Sequence, residues 1–102
     1  MIFNNHLIIY TYIYMYKITN YTLKKAKQLG FTVKPSSNRN KKIDVYKKVA
    51  TIGANGMNDY PTYIKKNGIQ FAKTRRRLYK IRHEKDRHVK FSNGWFADKL
   101  LW

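Results

Sequence analysis

Seventeen positive charges of this chain have no carboxylate to meet: 22 Lys and Arg stand against 5 Asp and Glu. No set of internal ion pairs neutralises that excess, so any fold must leave it facing water or a polyanion. Such a field opposes compaction and attracts nucleic acid or an anionic surface without recognising sequence. Small soluble domains manage with a net charge of about 2 to 8, so solubility alone does not account for it. A core is nonetheless within reach. At 43% hydrophobic and 16% aromatic residues the chain lies outside the regime of disorder, and 102 residues suffice for one domain with one core.

The charge is unevenly placed. Residues 1–16, "MIFNNHLIIYTYIYMY", carry none of it. They divide the chain into an uncharged N-terminal extension, 1–16, and a single small basic domain, 17–102. A membrane span needs about 20 mainly apolar residues, whereas this stretch holds Asn4, Asn5, His6 and Thr11 and meets Lys17. It lacks the basic start and small-residue cleavage site of a secretory signal. Neither a membrane association nor export is expected. Alternation of Tyr10, Tyr12, Tyr14 and Tyr16 with Ile9, Thr11, Ile13 and Met15 reads as one strand. The alternative is a mis-called start, with translation beginning at Met15.

Downstream, Thr22 is expected to cap a short helix with Leu23, Ala26 and Leu29 on its apolar side and Gly30 at its end. "FTVKP" alternates as a strand and "PSSNRNKK" reads as an exposed loop over 35–42. Ile43, Val45, Val49 and Ile52 suggest two strands that turn near Lys47 and Lys48, without the Gly or Asn of a strong hairpin. Asp59 is expected to cap a short helix with Pro61 in its first turn, ending near Gly68. The longest helix is expected over 69–85, and Ser92 or Asn93 caps a last one in "GWFADKLLW". The fold class is α+β: a small antiparallel sheet or hairpin followed by a helical, strongly basic C-terminal half. No internal repeat is present.

On a helical wheel, 69–85 places Phe71, Leu78 and Ile81 along one side with Ala72 and Tyr79 at its margin. Lys73, Arg76, Arg77, Lys80 and Glu84 lie opposite. Arg75 and Arg82 fall inside the apolar stripe. Either they snorkel or pair with Asp44, Asp59 or Asp98, or they line a groove and fork onto phosphate oxygens. Between Lys65 and Lys90, eleven Lys and Arg oppose only Glu84 and Asp86. The expected phosphate contacts are Arg76, Arg77, Lys80, Lys85 and Arg87, with Arg75 and Arg82 as further members. Tyr60, Tyr63, Phe71 and Tyr79 suit base stacking, although helical spacing assigns such residues to the core more often. No zinc-finger, basic-zipper or RNA-binding-sheet spacing is present, so sequence-specific readout has no support.

Catalytic equipment is sparse, and no enzyme is expected. In "RHEKDRH" the histidines His83 and His88 are five apart, where a zincin helix needs four. Glu84 and His88 share a face as a surface pair. No G-K-[ST] follows the glycines of "IGANG", and with no Cys there are no disulfides and no Cys-built zinc site. No cofactor or metal is expected.

Five blocks, "LGFTVKPS", "KKIDVYKKVATIGA", "DYPTYIKKNG", "RRRLYKIRHEKDR" and "SNGWFADKLLW", occur in that order. Together, over about residues 15–102, they resemble an uncharacterised family of small basic proteins encoded by nucleocytoplasmic large DNA viruses. The resemblance implies a viral origin and residence in the virion or the infected-cell interior, and it supplies no catalytic residues. Two departures stand out: family members carry a longer, Gly-containing turn where this chain has "YKKV", and the extension before Met15 is not covered. The expected partner is nucleic acid, DNA or RNA, bound without sequence specificity. The alternative is an acidic virion protein, met by the terminal aromatics of a structural or assembly protein.

Overall fold

In a computed structural model that describes residues 16–47 and 49–102, a three-stranded antiparallel sheet is packed among four helices. The expected strand ending at Tyr16 lies outside the described residues, apart from Tyr16 itself, which is not in a strand. Tyr16 belongs to the body rather than to the extension: its hydroxyl donates to Asp59 at 2.6 Å, and its ring packs on the core.

Helix α1, Asn20–Leu29, is capped by Thr19, whose hydroxyl accepts from the Thr22 N–H at 3.2 Å. The expected cap, Thr22, instead faces inward, fully buried, and donates to the Leu100 carbonyl at 2.6 Å. This rotation buries Thr22 and Ala26 and leaves Leu23 and Leu29 exposed. Two small side chains let α1 approach the last helix closely. Gly30 then ends α1 at φ 81°, a left-handed conformation that glycine adopts without strain.

The strands follow as β1, Thr32–Pro35, β2, Lys41–Tyr46, and β3, Ala50–Ala54, in the order β1-β2-β3. Val33 lies opposite Val45, and Ile43 opposite Ile52. Period-two alternation therefore turns Val33, Ile43, Val45, Ala50 and Ile52 to one face, all buried. The expected loop over 35–42 is shorter, because Lys41 and Lys42 already belong to β2. Between β2 and β3 the Val45 carbonyl accepts from the Val49 N–H at 3.1 Å, closing the connection without glycine.

Helix α2, Tyr60–Asn67, starts as expected: the Asp59 carboxylate accepts from the Thr62 N–H at 3.1 Å and Pro61 occupies the first turn. Helix α3, Ile69–Arg82, follows after Gly68 and stops three residues short of the expected 85. Helix α4, Asn93–Leu101, is capped by Ser92, whose hydroxyl accepts from the Trp95 N–H at 3.1 Å. Phe96, Leu100 and Leu101 of α4 enter the core against the inner sheet face. Phe96, Asp98, Leu100 and Leu101 of "GWFADKLLW" are buried, while Trp95 and Trp102 stay half-buried. Among the described residues no helix is long and apolar enough to cross a membrane.

Candidate nucleic-acid interface

Helix α3 docks through a narrow stripe. Ala72 and Tyr79, seven residues apart, are its buried positions, while Phe71 is 46% and Ile81 62% exposed. The wheel's apolar side is therefore turned: the residues expected at its margin carry the contact, and two of its expected centre residues face outward. The cause is tertiary. Trp102, brought in by α4, stacks on Tyr79 with ring centroids 4.4 Å apart and planes 9° apart. One large planar contact outweighs a weakly amphipathic pattern.

That rotation decides where the cations stand. Lys73, Arg76, Arg77, Lys80 and Arg87, with Glu84 and Ile81, line a concavity of about 490 Å³. Four of the seven sequence-assigned contacts meet here: Arg76, Arg77, Lys80 and Arg87. Lys73 joins them, unassigned from sequence as a contact although its spacing of three, four and seven to Arg76, Arg77 and Lys80 placed it on the same face. Lys85 is exposed and lines neither this concavity nor the hollow described below.

The grooved cations are held unequally. Lys80 Nζ lies 2.8 Å from Asp98, a carboxylate only 2% exposed, and Arg87 lies 3.8 Å from the same group. Arg87 is also paired with Glu84 at 2.8 Å. Lys73, Arg76 and Arg77 have no carboxylate within ion-pair range among the described residues. The Arg76 guanidinium lies 4.2 Å from the centre of the Tyr60 ring, which fixes its direction and leaves its charge unneutralised. Burial, together with the Asp98 and Asp86 charges, pushes the Tyr79 hydroxyl up to about 12. Tyr79 therefore stays neutral beneath the basic face.

Of the options for Arg75 and Arg82, pairing with a carboxylate is not what the structure shows. Neither pairs with Asp44, Asp59 or Asp98, whose partners lie elsewhere: Ser36 and Thr51 for Asp44, Lys42 and Tyr16 for Asp59, Lys80 for Asp98. Arg75 is half-buried with its guanidinium 5.5 Å from the Tyr63 ring centre, and Arg82 is exposed. Both line a second hollow, of about 290 Å³, on the other side of α3.

His83 and His88 make surface pairs. His88 lies 2.8 Å from Glu84 and His83 3.3 Å from Asp86. Hydrogen bonds from His88 and Arg87 hold the Glu84 carboxyl below its ordinary range. No group of three or more His, Cys, Asp or Glu among the described residues is placed to hold a metal ion.

No protein-family model, no curated protein and no solved structure matches this chain. The resemblance to small basic proteins of large DNA viruses therefore rests on the sequence blocks alone, and the functional reading rests on the site.

Proposed function

We propose that this chain is a small basic viral protein that binds nucleic acid through phosphate contacts without reading base sequence. One observation carries the reading: Lys73, Arg76 and Arg77 line one groove with no carboxylate in ion-pair range among the described residues. Guanidinium groups fork onto phosphate oxygens, and each phosphate neutralised releases condensed counterions, which supplies affinity independent of sequence. Lys80 and Arg87 are pre-positioned at the same groove by Asp98 and contribute once a phosphate competes for them.

The test is a binding titration on duplex DNA at several salt concentrations. With about five phosphates neutralised, log K falls against log salt with a slope near −4.5. A flat salt response overturns the proposal.

A further inference from the structure

The hollow on the other side of α3 has a different chemistry from the groove. Its wall is aromatic: Tyr79 and Trp102 are stacked, and Tyr63 stands 6.1 Å from Trp102 with the ring planes inclined at 46°. Arg75 and Arg82 enter the same hollow, neither within ion-pair range of a carboxylate among the described residues. Asn58 adds a half-buried amide to the lining. The carboxylate of Asp59 in this lining does not repel an anion strongly. It is 1% exposed and is already bound by Lys42 at 3.0 Å, by Tyr16 and by the Thr62 N–H.

The half-buried aromatic surface of Trp102 and Tyr63 beside two unneutralised guanidinium groups suits a ligand that is flat, polar at its edge and anionic at one end. A nucleotide has all three properties. An acidic peptide would satisfy the arginines and leave the ring faces unused. About 290 Å³ lies near the lower limit of small-molecule pockets, room for one base and not for a base pair.

We propose that this hollow takes one unpaired nucleotide, its base against the half-buried Trp102 and Tyr63 rings, with Tyr79 buried behind Trp102, and its phosphate on Arg75 and Arg82. The inference rests on the nucleic-acid reading of the groove and sharpens it. The groove tracks the backbone and the hollow holds a base, so the protein prefers single strands or frayed ends to intact duplex.

The two tryptophans supply the test, because the indole N–H signals of Trp95 and Trp102 report separately by NMR. Titration with dAMP moves the Trp102 signal saturably and leaves Trp95 in place, whereas inorganic phosphate and deoxyribose 5-phosphate do not reproduce the shift. Arg82→Ala, a change at an exposed position, weakens that dAMP binding about three- to tenfold. An unmoved Trp102, or an equal shift with phosphate alone, overturns the proposal. In parallel, an oligothymidylate binds about tenfold more tightly than an abasic strand of equal length. If both strands bind equally and with steep salt dependence, the hollow's role falls and the groove's stands. If neither binding depends on salt, the groove's role falls, and the dAMP titration still judges the hollow.

Discussion

The sheet side and helix α3 treat charge in opposite ways. On the sheet side, Lys42 is only 4% exposed and Asp59 1%, and the two meet at 3.0 Å with Tyr16 donating to the same carboxylate. A buried ion is tolerated there because every partner is supplied. On α3, Lys73 and Arg77 stand in solvent without a carboxylate in ion-pair range among the described residues, while the helix is held through Ala72, the Tyr79–Trp102 stack, the Lys80–Asp98 pair and ring contacts to α2. Fixed and available cations are therefore separated in space: Lys42 is held by its carboxylate within the fold, and Lys73 and Arg77 are left for what a polyanion would meet.

That separation breaks or sharpens under substitution. Phe96→Ala, which removes the largest fully buried side chain, destabilises by about 4 kcal/mol, read from a denaturant midpoint. Lys42→Met leaves Asp59 buried without its cation and costs about 3 kcal/mol, part of which returns when Asp59→Asn is added.

A smaller effect follows from pH. Burial alone would raise the Asp59 carboxyl, but hydrogen bonds from Thr62 and Tyr16 and the Lys42 charge outweigh it and hold the carboxyl below its ordinary range. A carboxyl depressed in the folded state stabilises above its unfolded value, and that contribution disappears as pH falls through the folded one. Acid unfolding monitored by circular dichroism therefore loses part of its low-pH limb in Asp59→Asn.

The smallest stability effect is expected on α3. Lys73→Ala with Arg77→Ala changes stability by no more than about 0.5 kcal/mol each while lowering the salt slope of DNA binding by about 2. Unfolding of that double variant would show that these two cations bear stability and remove the distinction.

Local chemistry made much of this fold legible. Asp59 with Pro61, Ser92, Gly30 and Gly68 mark helix ends through short-range hydrogen bonds and backbone geometry, and the alternation of Ile43 and Val45 fixes the inward face of β2. Illegible were facts set by distant partners. Thr22 is buried because a carbonyl 78 residues away accepts its hydroxyl. Lys42 read as part of a loop because nothing adjacent in sequence announces Asp59.

The candidate site divides along the same line. The sequence by itself determined that the positive charge exceeds anything the chain can neutralise and that much of it lies between Lys65 and Lys90, since composition and order need no fold. It also placed Arg76, Arg77 and Lys80 on one helical face, since helical periodicity is local. Only the tertiary structure decided which way α3 faces, because the stack of Trp102 on Tyr79 joins residues from separate helical segments. It thereby gave Lys80 and Arg87 to Asp98, left Lys73 and Arg77 without a carboxylate in reach among the described residues, and built a hollow around Arg75 and Arg82, which periodicity had already set on the other face. A helix's register on its neighbours is an outcome of packing energy summed over the whole core, and no stretch of residues contains that sum.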